Sequence, residues 1–224
     1  MPRAHMRGAV RHATLYILAA ALAAGLGLWA AQNRFAPPPA TPPPPLKLVT
    51  LFPATRALAP FRLQKSDGSA IVPASLKGHW TLVYLGYTHC PDVCPTTLQM
   101  LGMAGKSWAT LPAAKRPRIL FVSVDPKRDS PAHTGEYAHY FGKDIDGATA
   151  DDKTLAVFAR SLGMVYEIEP STDGTNYVVD HSASISLVDP DGDMAGLIHP
   201  EQPPAAPFDP AAIGADMKAL AEWR

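Results

Sequence analysis

The hydrophobic pattern divides the chain into a long apolar run, a proline-rich stretch, and a region of short apolar runs alternating with turn signals. The apolar run His12–Ala31 has 20 residues and contains no Asp, Glu, Lys or Arg. A helix of that length spans about 30 Å, which matches the hydrocarbon core of a bilayer. The pattern therefore predicts a transmembrane anchor at residues 12–31, preceded by a short segment at 1–11.

The charges beside this run predict its orientation. Arg3, Arg7 and Arg11 precede it, and only Arg34 follows closely. By the positive-inside rule, residues 1–11 stay in the cytoplasm and the rest of the chain crosses the membrane. A cleaved signal peptide is the alternative, and it also places the remainder outside the cytoplasm. We therefore expect a single-pass protein of the inner (cytoplasmic) membrane, with its globular part on the periplasmic or outer side.

A linker is predicted at residues 32–45. Its stretch Ala36–Pro45 has seven prolines among ten residues. Such a run favours an extended polyproline II spacer. The rest of the chain, 46–224, is long enough for one globular domain.

The pattern within 46–224 predicts an α/β fold. Dense apolar runs indicate buried strands at Thr81–Tyr87 and Arg118–Val124. Further strands are predicted at Phe61–Gln64, Ala70–Val72, Met164–Ile168, Ser184–Val188 and Ala195–Ile198, and helices at Cys94–Trp108, Ser130–Phe141, Asp151–Leu162 and Ala211–Trp223. This order of elements is typical of a mixed central sheet flanked by helices.

Composition narrows the function classes. The net charge is zero, but residues 1–45 hold four Arg and no acid, so 46–224 carry 16 basic and 20 acidic residues. A mildly acidic domain argues against a nucleic-acid binder, which needs a basic face to neutralise phosphates. Two cysteines exclude a disulfide-dense scaffold and a zinc site of four thiolates.

Both cysteines lie in one motif, Thr88–Pro95 (THCPDVCP), where a predicted strand gives way to a predicted helix. If this turn is helical, the spacing of Cys90 and Cys94 puts both sulfurs on one face. A helix N-terminus also lowers the pKa of a thiol. A metal site, a redox dithiol and a structural disulfide all fit, although a disulfide across so short a loop restrains little of the unfolded chain.

Six of the eight histidines lie in the domain: His79, His89, His133, His139, His181 and His199. His181 stands out because it lies between two predicted strands, in VVDHS. A histidine in that setting is a candidate ligand, with an ordinary buried or edge histidine as the alternative reading. His89 directly precedes Cys90, so its side chain is expected to point away from the sulfurs.

Three segments resemble one family. They are GYTHCPDVCPTTL (Gly86–Leu98), FVSVDPKRDSP (Phe121–Pro131) and YVVDHSASISLVDPDG (Tyr177–Gly192). In this order, behind an N-terminal apolar run, they closely resemble the SCO/SenC family of membrane-anchored, thioredoxin-like copper proteins. The resemblance implies a thioredoxin-like domain that binds copper through Cys90, Cys94 and His181.

The resemblance also implies a function, assistance in assembling the binuclear copper centre of cytochrome c oxidase. The expected partners are the copper-site subunit of the oxidase and another copper chaperone or a thiol reductant. Two thiolates and one imidazole suit Cu(I), and the nitrogen donor makes Cu(II) tolerable. Asp92, between the two cysteines, and Asp180, beside His181, are candidates for orienting the ligands, with ordinary solvated acids as the alternative.

A second function from another class is a thiol–disulfide oxidoreductase. Cys90 would attack a client disulfide and Cys94 would resolve the mixed disulfide. The longer C-x-x-x-C spacing departs from the usual C-x-x-C redox motif. His181 discriminates between the two functions, because a dithiol reductase has no need of it.

Overall fold

The computed structural model describes residues 4–35, 42–169, 177–200 and 208–223, with side chains of the first range described from Leu15 to Ala30. The chain divides into two compact units, Met1–Pro42 and Pro43–Arg224. Each unit is described by itself.

The first unit contains one helix, α1 (Ala4–Phe35), which covers the predicted anchor at 12–31. Its described side chains are exposed. Among the described residues, no helix combines the length and the apolar character needed to cross a membrane. The anchor at 12–31 therefore stays a prediction, and residues 36–41 of the proline-rich spacer lie outside the described residues.

The second unit is built on ten strands. They are β1 (Val49–Ala57), β2 (Leu63–Lys65), β3 (Ala70–Ile71), β4 (Thr81–Gly86), β5 (Arg118–Ser123), β6 (Ile145–Thr149), β7 (Tyr166–Ile168), β8 (Val179–His181), β9 (Ile185–Val188) and β10 (Asp193–Ile198). Eight of them form one sheet in the order β1-β10-β9-β4-β5-β6-β2-β3, and β7 and β8 form a separate antiparallel pair. The predicted α/β fold with a mixed sheet is confirmed.

Four helices complete this unit: α2 (Val93–Trp108), α3 (Pro131–Phe141), α4 (Asp152–Ser161) and α5 (Pro210–Trp223). Two of them begin with side-chain caps. Ser130 Oγ accepts the His133 N–H, and the Asp151 carboxylate accepts the Thr154 N–H. These bonds satisfy amides that have no partner inside the helix. Helix α2 packs against α5 and α3.

The centre of the sheet determines where the cysteines lie. Strands β4, β5 and β6 run parallel, with α2 and α3 as the crossovers between them. Every residue of β4 is buried, which explains its continuous apolar sequence. Helix α2 follows directly after β4, so the cysteine motif lies at the carboxyl edge of the central strands. That edge is where open α/β sheets commonly bind ligands.

Three strands, β1, β6 and β8, were not predicted. Strand β1 is largely exposed and contains Pro53, so it lacks an apolar signature. Strand β6 reads IDGAT, a composition unfavourable to strands. A Cβ at its Gly147 would lie 2.4 Å from the Thr134 carbonyl oxygen, so α3 approaches this strand too closely for a side chain. Strand β8 reads VDH and forms no apolar run.

The hydrophobic core belongs to the second unit. Among the described residues, its buried apolar side chains run from Val49 to Leu220. A unit with its own core is expected to fold alone. We therefore expect Pro43–Arg224 to fold without the preceding residues.

Candidate metal centre

The turn between β4 and α2 positions both cysteines. Helix α2 starts at Val93, so Cys90 lies in the turn and Cys94 is the second helical residue. The two cysteines therefore do not share one helical turn, as i, i+4 spacing within a helix would require. Instead, the Cys90 sulfur lies over the helix N-terminus and accepts the Cys94 N–H, with N and Sγ 3.4 Å apart. It satisfies one of the unpaired amides of that terminus.

A glycine lets the Cys94 sulfur approach the sheet. A Cβ at Gly86 would lie 2.9 Å from Cys94 Sγ and 2.9 Å from Phe121 Cε2. Real side-chain carbons do not come that close to these atoms, so the strand must end in a residue without one. Gly86 thus sets the depth at which the sulfur is buried.

The third donor comes from β8. His181 Nε2 lies 3.3 Å from Cys94 Sγ. One donor atom from each of Cys90, Cys94 and His181 lies within 4.8 Å of the others. These three residues are called the Cys–Cys–His cluster below. Both cysteines are buried and the histidine is partly exposed, so the cluster opens towards solvent at the imidazole.

The other imidazole nitrogen faces the backbone. His181 Nδ1 lies 3.2 Å from the carbonyl oxygen of Ser182. A carbonyl can only accept a hydrogen bond, so this contact requires the proton to be on Nδ1. The lone pair of Nε2 is then directed to the sulfurs, as in the metal-binding tautomer of histidine.

The two thiols differ strongly in acidity. A hydrogen bond from the Cys94 thiol is the largest cause that lowers the pKa of Cys90 to about 4, with backbone amides also contributing against the effect of burial. The same hydrogen bond and burial raise the pKa of Cys94 well above its ordinary value. At neutral pH the metal-free cluster therefore holds one thiolate and one thiol.

Two tyrosines enclose the imidazole. The ring centroids of Tyr84 and Tyr87 lie 5.9 and 6.3 Å from that of His181, both edge-on. Tyr84 is fully buried. Burial raises its pKa, so its hydroxyl stays neutral. These residues were not predicted, because nothing in the sequence around them distinguishes them from core tyrosines.

A polar group holds the chain that leads into β8. Arg128 stacks on Tyr177 with Cζ 3.6 Å from the ring centroid, and its Nη1 donates to the Tyr177 carbonyl at 3.1 Å. The Tyr177 hydroxyl donates to the buried carboxylate of Asp125 at 2.5 Å, and Arg128 Nε donates to the same carboxylate. Asp125, Arg128 and Tyr177 are called the tyrosine clamp below. Since Tyr177 lies four residues before His181, the clamp restrains the strand that carries the imidazole.

Burial and the bond to Asp125 raise the pKa of Tyr177 to about 12, so its hydroxyl remains a donor at neutral pH. A sequence signal for the clamp existed. Asp125 and Arg128 directly follow the buried strand β5, which runs parallel to β4. Polar residues at the carboxyl ends of adjacent parallel strands meet at one edge. Tyr177 gave no such signal, because its contact with them is long-range.

A second carboxylate fixes the cysteine turn. Fully buried Asp129 accepts the Thr88 N–H at 2.8 Å and the Thr88 and Ser123 hydroxyls at 2.5 Å each. It also lies 3.4 Å from His89 Nδ1, so His89 faces Asp129 instead of joining the cluster. The turn before Cys90 is thereby tied to the end of β5.

The two acids proposed to orient ligands lie on the solvent side. Asp92 is exposed at the N-cap of α2, without a side-chain capping bond. Asp180 is exposed on β8, where successive side chains alternate between faces, so it points away from the face of His181. Their orienting roles stay predictions. Ser182 supplies a backbone partner for the imidazole instead.

The architecture and the cluster together define a thioredoxin-like protein with a candidate site for a soft metal ion. A family model described as SCO1/SenC matches residues 51–211. The chain belongs to the SCO1/SenC family. Residues 90, 94 and 181 all fall within the matched range.

Individual relatives agree with this assignment. The chain is 35% identical over 132 residues to "Protein SCO2 homolog, mitochondrial" of Bos taurus, covering 59% of this chain and 50% of that protein. It is 31% identical over 135 residues to "Protein SCO1 homolog, mitochondrial" of Homo sapiens, covering 60% and 45%. The chain thus spans about half the length of the curated relatives it matches.

Solved structures are similar as well. The structure of Bradyrhizobium japonicum ScoI with copper bound is 34% identical, with a TM-score of 0.62, over 73% of this chain and 99% of that one. Yeast Sco1 with copper bound is 29% identical, with a TM-score of 0.58, over 64% and 79%. Almost all of the Bradyrhizobium chain is matched, so the equivalent domain of that protein folds on its own.

Proposed function

We propose that this protein is a copper metallochaperone, in which Cys90, Cys94 and His181 hold one copper ion. It delivers this ion to the copper-site subunit of cytochrome c oxidase during assembly of the binuclear copper centre. The observation that carries the proposal is the convergence of three donor atoms, from two elements distant in sequence, to within 4.8 Å of one another. The copper-bound relatives support the choice of metal.

The donor set fits cuprous ion. Sulfur is a soft ligand suited to Cu(I), and the single imidazole also tolerates Cu(II). A structural zinc site would ordinarily have a fourth protein ligand. Cys90 is already a thiolate at neutral pH because its pKa is lowered to about 4, and Cys94 releases its proton when the metal binds.

Release begins at the exposed side of the cluster. His181 is partly exposed and lies on a short strand, whereas both sulfurs are buried. An incoming donor of the client displaces the imidazole first and the sulfurs afterwards. Only one metal–ligand bond is broken at each step, so the ion is never left without ligands.

The location is part of the same proposal. A transmembrane anchor at 12–31 and a linker at 32–45 hold the domain 46–224 beside its client on the outer side of the inner membrane. Tethering raises the effective concentration of the domain at a membrane-bound client without new contacts.

Transfer to an acceptor tests this function. The unit Pro43–Arg224, loaded with one Cu(I), is mixed with the soluble copper domain of an oxidase subunit whose cysteines are reduced. We expect copper to move to the acceptor, and we expect His181→Ala to deliver little because it binds little. An acceptor that stays metal-free while the wild-type protein keeps its copper would contradict the proposal.

A second function, thiol–disulfide exchange, is favoured by the unequal acidity of the two thiols. The Cys90 thiolate attacks a client disulfide, forms a mixed disulfide and releases one client thiolate. Cys94 then attacks the Cys90 sulfur and its proton goes to the second client thiol as it leaves. The client is reduced, the cysteine pair is oxidised, and an external thiol reductant restores it.

Substitution of His181 distinguishes the two functions. Reduction of a client disulfide by His181→Ala at close to the wild-type rate, together with loss of copper transfer, would assign the histidine to copper alone. An equal loss of both activities would mean that the imidazole also serves thiol exchange.

A further inference from the structure

We propose that the second unit also carries a binding site for a small organic anion with an apolar body. The site is a cavity of about 410 Å³ bordered by the C-terminal half of α2, the start of β5 and the end of α3. Its volume lies within the range of small-molecule sites, roughly 300–1,000 Å³. This proposal does not rest on the copper function.

The cavity lies at the opposite end of the sheet from the Cys–Cys–His cluster. Its wall includes Arg118 and Ile119, which begin β5, whereas the cluster adjoins the carboxyl ends of the central strands. Six residues of parallel strand span about 20 Å. A ligand in this cavity therefore does not touch the thiols.

The interior of the cavity is apolar. Its lining includes the buried side chains of Trp108, Ile119 and Ile145, together with partly buried Phe141. A flat aromatic or short acyl group would gain dispersion contacts with the atoms of this lining.

The rim is cationic. Lys106, Arg116, Arg118 and Lys143 line it, with Asp144 as the only acid among the lining residues. All four cations are exposed, and within the described ranges none forms an ion pair with a carboxylate.

The two arginines have N–H donors that form no hydrogen bond within the described ranges. Arg116 and Arg118 each donate one hydrogen bond to a backbone carbonyl, which leaves most of their five N–H donors available. Because residues 46–224 hold more acidic than basic residues, this rim departs from the overall charge of the domain. It favours a carboxylate, sulfonate or phosphate group on the ligand.

A glycine keeps the cavity open. A Cβ at Gly105 would lie 3.5 Å from Ile119 Cδ1 and 3.8 Å from Trp108 Cζ2, which are ordinary contacts. Packing therefore does not require glycine here, although glycine weakens the middle of a helix relative to alanine. Gly102, one turn earlier, differs because a Cβ there would meet the Phe141 carbonyl oxygen at 2.3 Å. Of these two helix glycines, Gly105 is the one that accepts a Cβ without a clash.

A matched pair of dyes tests the class of ligand. The probe is 8-anilinonaphthalene-1-sulfonate, and N-phenyl-1-naphthylamine has the same rings without the sulfonate. We expect the folded, reduced unit Pro43–Arg224 to bind one molecule of the sulfonate dye per chain. The neutral dye should bind at least about tenfold more weakly, because it lacks one charge-assisted contact. Equal affinities, or displacement of the dye by an equal concentration of inorganic phosphate, would overturn the proposal.

Two kinds of variant test the location. Gly105→Leu fills the cavity and should reduce binding at least about tenfold, whereas Gly105→Ala, its matched control, should stay within about threefold of wild type. The double variant Lys106→Gln and Lys143→Gln should weaken binding of the sulfonate dye but not of the neutral dye. Lys153→Gln, on α4 outside the cavity, should change neither.

A readout at the cavity itself completes the test. We expect the Trp108 indole N–H resonance to shift on addition of the sulfonate dye. Wild-type affinity in a folded Gly105→Leu protein would overturn the proposal. If Gly105→Leu fails to fold, the test rests on the double variant Lys106→Gln and Lys143→Gln. Unchanged binding of the sulfonate dye by that variant would also overturn the proposal.

Discussion

The sulfur side and the imidazole side of the cluster are held in different ways. Cys94 lies in the first turn of a 16-residue helix, is fully buried, and packs at the end of a central strand of the eight-stranded sheet. His181 lies on a three-residue strand that, within the described part of the chain, pairs only with β7. The sulfurs are thus positioned by the core of the domain, whereas the imidazole is carried by a small strand pair and depends on the side chains that brace it.

This difference has an energetic consequence. An isolated two-stranded sheet is marginally stable in water, so β7 and β8 need support from elsewhere. The tyrosine clamp supplies it by bonding Tyr177 to the buried Asp125 and to Arg128. Segments with few buried apolar contacts open at lower free energy than the core. We expect the imidazole to leave the cluster more readily than either sulfur, which suits a protein that must release its metal.

The largest expected effect is on the sulfur side. Cys90→Ser or Cys94→Ser should each abolish stoichiometric copper binding, because a hydroxyl is a poor ligand for cuprous ion. Copper per chain, measured after dialysis of the reduced, loaded unit Pro43–Arg224, should fall from about one to near zero. One tightly held ion per chain in either variant would place the metal elsewhere.

The next effect is on the imidazole side. His181→Ala should weaken Cu(I) binding at least about 100-fold, beyond the 10- to 100-fold typical of residues that only orient a ligand. The reduction potential of the cysteine pair should change by less than about 30 mV, since the sulfurs are positioned independently. His139→Ala, an exposed residue of α3, is the control. Small, equal effects on both quantities would contradict the difference between the two sides.

A third expectation concerns acidity. Removing the Cys94 thiol in Cys94→Ala should raise the pKa of Cys90 by about 1 to 2, because it removes the hydrogen bond that lowers this pKa most. Cys94→Ser keeps a donor and should retain the low pKa. The rate of iodoacetamide alkylation against pH measures both. An unchanged profile in Cys94→Ala would show that the thiol is not the cause.

The same lowered pKa predicts a pH dependence of stability. A thiol whose folded pKa lies below its unfolded value stabilises the fold fully above the unfolded value, and this contribution is lost as pH falls towards the folded value. For Cys90 the window runs from about 9 down to about 4. Cys90→Ser should remove this contribution, so its free energy of unfolding should vary less with pH across the lower part of that window.

The smallest effect is expected at the clamp. Tyr177→Phe leaves Asp125 without one hydrogen bond, at a local cost of about 1 kcal/mol. Copper release should accelerate by up to about fivefold and amide exchange in β8 should increase, while α2 stays protected. Tyr140→Phe, on an exposed tyrosine, should change neither. Equal exchange in β8 of the variant and the wild type would mean that the clamp does not hold this strand.

The elements that position the sulfurs could be predicted from the sequence better than the strand that carries the imidazole. The strands β4 and β5 and the helices α2, α3 and α4 were predicted within one to two residues, because their apolar runs and capping residues are local signals. The cysteine motif was visible for the same reason. Strand β8 was not predicted, since its sequence Val-Asp-His includes two polar residues and forms no apolar run.

Sequence patterns alone did not predict the long-range contacts of the site. That Cys94 and His181 converge, 87 residues apart, followed only from resemblance to a family. The Tyr177–Asp125 bond joins residues 52 apart, and Tyr177 carried no signal for it. Asp180 shows the converse, because adjacency in sequence suggested a role, yet alternation along the strand turns its side chain to solvent.

X-ray absorption at the copper edge of the Cu(I)-loaded unit tests the joint coordination most directly. The wild-type spectrum should require two sulfur neighbours and one imidazole nitrogen, and the spectrum of His181→Ala should lose the imidazole scattering while keeping both sulfurs. A wild-type spectrum without imidazole, or one unchanged by the substitution, would contradict a copper ion held jointly by Cys90, Cys94 and His181.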